Sequence, residues 1–439
     1  MMTKLKFSYK NTCGVDKKLL SSIAEDLSPV LKKIKKIRGK GYNLDYGSIN
    51  LPGDTDILSS VQEVVCQKRM LDPSTLIVIG IGGSNLGAMA VHEAINGLLY
   101  NDLDPHLKIY FADTTDPNFI LSLTEIVEKE IKQGRPVLYN VVTKSGSTTE
   151  TIANFEVLLQ VLRKYFPKEY GKYIVVTTEK ESKLWKYAQL KGMSTLECFV
   201  GGRYSVLSSV GLFSLAMVGV DVKGLCAGAD SFLNVGLSDD FEKNYSVCSA
   251  SILYAHYRRS VFVHDTFVFS KQLRALGAWY CQLMAESTGK KYDLSGKEAN
   301  CGMLPTVSVG STDLHSLYQL YMSVEDRFVT TFVTVGRFPT NISVPDCKHF
   351  EDIAPRIQKK PLSRILDAIA NATKLTYEKN NSYFMSIELP EISSFVIGQF
   401  LQFKMLETMF LGFLLNINVF DQPNVEQYKT EVKRILTDG

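Results

Sequence analysis

Two stretches of the sequence set small polar donors where an apolar run ends. In VVTKSGSTTET (141–151), six hydroxyl side chains surround Lys144 and Gly146 within nine positions: Thr143, Ser145, Ser147, Thr148, Thr149 and Thr151. In GIGGSNLG (80–87), glycines turn the chain, and Gly83, Ser84 and Asn85 stand where a helix opens. Backbone N–H groups and a helix dipole at such a turn attract an anion. The plainer alternative is that Ser84 only caps its helix. Nucleotide templates fail here. Asn85 occupies the third glycine position of a GxGxxG fingerprint, and Ala88 and Met89 follow Gly87 where a Walker loop needs Lys and Ser or Thr. No aspartate stands where a Walker-type magnesium site needs one, so the phosphate is a handle for binding and is not transferred. The expected ligand is a phosphomonoester.

These donors need strands and helices to position them. A chain of 439 residues exceeds what one hydrophobic core usually supports, so two domains are expected. Short apolar runs alternate with helix-length segments: TLIVIGIGGS (75–84), LKIYFADTTDP (107–117), PVLYNVVTKSGS (136–147) and KYIVVTTEK (172–180). A second series follows, with TLECFVGGRYS (195–205), SVFVHDTFVF (260–269), LPTVSVGST (304–312) and RFVTTFVTVG (327–336). Apolar strands alternating with helices predict an α/β fold of two doubly wound parallel-sheet domains, with helical N- and C-terminal extensions. The expected boundaries are 1–45 for the N-terminal helical arm, 46–192 and 193–420 for the two domains, and 421–439 for a tail that opens a helix with proline. A long apolar helix is expected over about 392 to 416.

Composition excludes several partners. Net charge is +3, from 49 basic and 46 acidic residues, which gives no reason to expect nucleic acid. In LKKIKKIRGK (31–40), Leu31, Ile34 and Ile37 recur every three residues, so the lysines form the solvated face of a helix. Eight scattered cysteines with no CxxC read as small buried hydrophobes in a reducing compartment. The first residues, MMTKLKFSYKNT, lack the apolar core of a signal peptide. The longest uncharged stretch, 204–220, has 17 residues and four serines, short of the roughly 20 apolar residues of a spanning helix. It reads as a core helix, and the chain as cytoplasmic with no membrane partner.

GIGGSNLG and TKSGSTTE together resemble the phosphosugar-binding loops of the sugar isomerase domain family. VGGRYSVLSSVG (200–211), QLMAESTGK (282–290), GSTDLHSLYQL (310–320) and the tail NVFDQPNVEQYK (418–429) are similar to the shorter bacterial members of the phosphoglucose isomerase family. The resemblance runs from about residue 40 to the C-terminus. It implies interconversion of glucose 6-phosphate and fructose 6-phosphate through a cis-enediolate, in glycolysis and gluconeogenesis, with no metal or other cofactor. It also implies substrate contacts at Gly83, Ser84, Asn85, Thr143, Lys144, Ser145, Ser147, Thr148, Gly202 and Gln282.

The same resemblance implies roles for four catalytic residues. Glu286 becomes the base; Gln282 shares its helical face, and the neighbouring Trp279, Met284 and Ala285 predict an apolar setting that raises a carboxyl pKa. Arg203 follows two glycines that permit close approach, and its guanidinium can face a developing oxyanion; a structural pairing with a carboxylate is the alternative. The family role of His315 is to help open the sugar ring from the partner subunit of a homodimer. The ring-opening lysine falls on Lys429, and Glu150 matches an acidic position. Thr288 and Leu314 depart from asparagine and glutamine in many relatives, and Thr143 replaces a common serine. Rival readings are a sugar-phosphate sensor without turnover, a dehydrogenase that Asn85 disfavours, and an isomerase that also accepts mannose phosphate.

Overall fold

Runs that are apolar at every position become strands covered on both faces. The computed structural model describes residues 4–324, 327–340 and 342–438; positions 1–3 of the N-terminal arm and 439 of the tail lie outside the described residues. In chain order the strands are β1 (Lys6–Ser8), β2 (Thr75–Ile79), β3 (Lys108–Ala112), β4 (Val137–Val142), β5 (Ile174–Thr178), β6 (Ser194–Glu197), β7 (Val263–Val268), β8 (Lys290–Tyr292), β9 (Glu298–Cys301), β10 (Leu304–Val309), β11 (Phe328–Arg337) and β12 (Phe384–Glu391). The first eight helices are α1 (Lys17–Asp26), α2 (Ser28–Ile37), α3 (Thr55–Arg69), α4 (Leu86–Asn96), α5 (Pro117–Lys132), α6 (Thr149–Tyr165), α7 (Lys183–Leu190) and α8 (Ser209–Met217). The others are α9 (Val222–Gly236), α10 (Tyr245–Arg258), α11 (Arg274–Thr288), α12 (Tyr318–Ser323), α13 (Leu362–Lys379), α14 (Ser394–Leu414) and α15 (Pro423–Asp438). Every residue of β2, β4 and β5 is buried, as a sheet sandwiched between helices requires.

The first sheet is parallel, in the order β3-β2-β4-β5-β6. The chain moves from β2 outward to β3, then crosses back to β4. Strand order therefore reverses between β2 and β4, and the loops after these neighbours open onto one crevice. The second sheet runs β1-β12-β11-β7-β10, parallel except for β1. Two parallel-stranded α/β sheets are what the alternation of the sequence predicts, and α8 and α14 are the expected buried helices.

Three elements depart from that reading. The strand expected to head the second series, β6, pairs instead with β5 at the edge of the first sheet. It is short and half-buried, so its own pattern carries no information about which sheet receives it. The N-terminal arm is not helical throughout, because Phe7 pairs with Ile387 in an antiparallel edge ladder. The strand it meets, β12, mixes buried and half-buried positions and lacks the continuous apolar signature of the others.

A buried polar cluster fixes α11 to the second domain. Lys404 and Glu407 of α14 pair at 2.9 Å with both side chains wholly buried. Glu407 also accepts hydrogen bonds from Ser249 of α10 and Tyr280 of α11. The Lys404 ammonium lies 4.4 Å from the Tyr280 ring centroid, and the Tyr280 hydroxyl reaches His264 of β7 at 3.1 Å. Burial, reinforced by Lys404, pushes the His264 pKa far below its usual range and keeps the imidazole neutral. Removing one member of a buried pair strands the other charge. Glu407→Ala should therefore cost roughly 3–5 kcal/mol. Replacing both residues together, as Lys404→Met with Glu407→Leu, should recover most of the loss, read as thermal midpoints of the two proteins.

Candidate active site

The two hydroxyl-rich loops meet at the strand-order reversal. After β2, the chain turns through Gly82–Ser84 into α4; after β4, it passes Thr143–Thr148 into α6. Helices α5 and α7 of the same domain receive side-chain caps from Asp116 and Ser182. By contrast, α4 and α6 start without a side-chain cap, although Asn85 and Thr148 occupy the cap positions. Their first N–H groups stay open for a ligand. Asn85 is 2% exposed and its Nδ2 lacks a partner, as does the buried Oε1 of Gln282. Thr143 and Thr148 share a 2.8 Å hydroxyl contact, and Ser147 Oγ lies 3.3 Å from Ser145 Oγ. Lys144, Ser145 and Ser147 are exposed at the mouth.

Close glycine packing joins the loop after β2 to the second domain. Gly82 has φ +59°, and a Cβ there would lie 3.0 Å from Gln282 Nε2. A Cβ on Gly83 would fall 2.2 Å from the Gly202 carbonyl carbon and 2.5 Å from the Arg203 nitrogen. Only hydrogen fits between these backbones. Gln282 donates to Glu286 Oε1 at 3.0 Å, and Arg203 donates to Glu286 Oε2 at 3.1 Å. The loop after β2, Gln282, Glu286 and Arg203 thus form one connected group.

Arg203 is 3% exposed, and its donors are fully engaged. Besides Glu286 it contacts Ser287 Oγ at 2.9 Å, Gln422 Oε1, Val419 O at 2.7 Å and Asp421 O at 2.9 Å. A guanidinium has five N–H groups, and these acceptors use all of them. The sequence offered an oxyanion donor or a carboxylate partner; the geometry observed is the carboxylate pairing, with the arginine also gripping Val419–Gln422. The setting of Glu286 differs as well. Met284 and Trp279 point into the core, Ala285 is exposed, and the Glu286 carboxylate, 31% exposed, is held by polar groups.

Two expected catalytic residues stand apart. His315 ends a short 3-10 turn after β10, exposed, at the carboxyl edge of the second sheet. Helix α11 starts from that edge after β7 and advances roughly 18 Å between Arg274 and Glu286, at about 1.5 Å per residue. The chain therefore carries its own His315 at the far end from its own Glu286. Lys429 lies on α15 and bonds to Glu426 at 2.7 Å. The neighbouring Tyr428 hydroxyl donates to Glu150 at 3.2 Å, which brings α15 over the start of α6. Thr288 is buried and bonds to Met284 O within its own helix, and Leu314 packs beside the aromatic cluster of the second sheet.

Sequence reading did not single out Gln422, Ser287, Tyr204 or Lys290. Gln422 lies in the same tail motif as Lys429, but nothing in its residue type marks it for Arg203. Tyr204 shares Ser287 Oγ with Arg203, at 3.1 Å, and meets the ring of Phe420 at 5.5 Å. A cavity of about 350 Å³ flanks the group, lined by Tyr46, Lys144, Arg203, Tyr204 and Phe420 among others.

The sequence profile described as Phosphoglucose isomerase matches residues 69–336. A glucose-6-phosphate isomerase of Thermus thermophilus is 31% identical over 434 residues, covering 96% of this chain and 99% of that protein. That of Carboxydothermus hydrogenoformans is 31% identical over 368 residues, covering 82% and 78%. Among solved structures, a hypothetical protein of Thermus thermophilus superposes with a TM-score of 0.86 at 29% identity, covering 98% of this chain and 99% of that one. A Chlamydia trachomatis glucose-6-phosphate isomerase shares the fold, with a TM-score of 0.82 at 20% identity, covering 99% and 88%.

The contact between Gly83 and Gly202 is directly testable. Gly83→Ala forces two backbones apart, so the protein should fold yet bind a phosphomonoester at least tenfold more weakly, as measured by calorimetric titration. Unchanged affinity would separate this loop from the binding site.

Proposed function

The chain belongs to the phosphoglucose isomerase family, and from that premise we propose how its residues interconvert glucose 6-phosphate and fructose 6-phosphate. The phosphate sits on the open N-termini of α4 and α6, held by Ser84, Thr143, Lys144, Ser145, Ser147 and Thr148. It anchors the sugar without reacting, so binding energy is spent on orientation. Ring opening comes first, with His315 and Lys429 moving protons between ring oxygen, hydroxyl and solvent. Glu286 then takes the proton from C2 of the open aldose. An enediolate forms, the O2 hydroxyl proton passes to O1, and Glu286 returns its proton to C1, giving the ketose.

The observation that carries this reading is the placement of Glu286, a half-buried carboxylate fixed by Gln282 and Arg203 beside the phosphate loops. Arg203 orients the base, and its buried charge favours the enediolate. A phosphate sensor needs the loops alone; a base held on both oxygens adds nothing to recognition of phosphate.

His315 reaches the sugar from the second subunit of a homodimer. The length of α11 between the His315 edge and Glu286 supports this arrangement. All eight cysteines are free, which suits a reducing cytoplasm. No described helix is long and apolar enough to cross a membrane.

Two measurements test the scheme. EDTA-treated protein should convert fructose 6-phosphate in an assay coupled to glucose-6-phosphate dehydrogenase, and Glu286→Gln should lose roughly 10²–10⁴ in turnover. Near-normal turnover in the variant removes Glu286 as the base. Mixing inactive His315→Ala and Glu286→Gln subunits should restore activity through sites that combine two intact residues; no recovery after proven exchange would place His315 on its own chain's site.

A further inference from the structure

A buried cation beside Glu286 lies outside the scheme. Lys290 follows the last turn of α11, and its side chain is 4% exposed. Burial, with Arg203 adding to it, pushes its pKa below the usual lysine range. The ammonium folds back on its own helix and donates to Glu286 O at 2.7 Å, one of the carbonyls a helix end leaves open. It also donates to Asp421 O at 3.0 Å and lies 3.5 Å from Asp421 Oδ1. Arg203 shares that Asp421 carbonyl and adds Val419 O and Gln422 Oε1. Two buried cations therefore hold one short strap of chain.

The strap leads directly into α15, which has no buried side chain among its described residues. The anchored strap and the bond between Tyr428 and Glu150 both bear on the position of α15. Phe420 strengthens it, with its ring 4.9 Å from Tyr46 and 5.5 Å from Tyr204.

We propose that Lys290 is a positioning residue that clamps Val419–Gln422 to the C-terminal turn of α11, so that Lys429 and Glu286 are held in one frame. The proposal rests on the roles assigned above to these two residues. Lys290 touches no substrate. It acts through the strap, by tying the backbone of the base to the start of the helix that carries the lysine.

The experiment compares wild type, Lys290→Met and Lys290→Arg in the full chain, with two readouts. The first is kcat and KM for fructose 6-phosphate. The second is backbone hydrogen exchange across 419–434, with α6 as the internal reference. Lys290→Met should lower kcat by about 10–100-fold while KM moves less than about threefold, since small misplacements of reacting groups cost rate before affinity. Exchange in 423–434 should accelerate at least about tenfold while α6 is unchanged, as expected for a segment cut from its anchor. Lys290→Arg, which keeps charge and donors, should recover most of kcat and of the protection. Should Lys290→Met not fold, Lys290→Gln is read in the same way. Unchanged exchange in 423–434, normal kcat, or an equal loss in Lys290→Arg would overturn the clamp. A wild-type protein without isomerase turnover would sink the functional reading instead, and the exchange data would still decide whether the strap depends on Lys290.

Discussion

The site depends on one buried guanidinium. Arg203 sits where three stretches of chain meet: the turn after Gly202, the end of α11 and the segment before α15. A buried cation is tolerable only when its donors are satisfied, and here each finds an acceptor. The requirement works in both directions. Ser287, Glu286, Val419, Asp421 and Gln422 must converge to satisfy the arginine, and in converging they fix the carboxylate and the C-terminal strap. Neither domain holds the arrangement alone, because Gly83 of the first presses against Gly202 while Glu286 belongs to the second.

Chemistry is therefore divided between rigid and adjustable parts. The loops 82–85 and 143–148 sit at the strand-order reversal of a sheet covered by helices, leading into helices without side-chain caps. The carboxylate stands on a helix locked to the core by Tyr280 and the buried pair of Lys404 and Glu407. The C-terminal helix is different in kind. It lies on the surface, led in by the strap and bonded through Tyr428 to Glu150.

Much of this is legible in the sequence, and the exceptions have physical causes. Runs of apolar residues between helix-length segments announce parallel strands, so β2 to β5, β7, β10 and β11 could be read directly. The half-wet β1, β6 and β12 mix polar with apolar residues, which is why β1 and β12 pass unread and β6 is attached to the wrong sheet. The loops 82–85 and 143–148 are visible because glycine and hydroxyl residues are unusual at the end of an apolar run. The full engagement of Arg203 is not visible, since three of its acceptor groups lie more than two hundred residues away and two of them are backbone carbonyls, which every residue type supplies alike. For the same reason Lys290 reads as an ordinary lysine after a helix. The apolar surroundings predicted for Glu286 follow from sequence neighbours that face the other side of the helix.

The edge ladder between Phe7 and Ile387 bears on how the chain is made. The first sheet takes all its strands from residues 75–197 and can close early on the ribosome. The second cannot, because its outermost strand pairs with one about 380 residues further along the chain. At the usual ribosomal pace of about 5–20 residues per second, Lys6–Ser8 waits roughly 20 to 75 seconds for β12 to emerge. During that interval Leu5, Phe7 and Tyr9, all buried in the finished protein, have no edge to cover. A nascent chain of this topology keeps that apolar segment without its sheet until β12 has emerged.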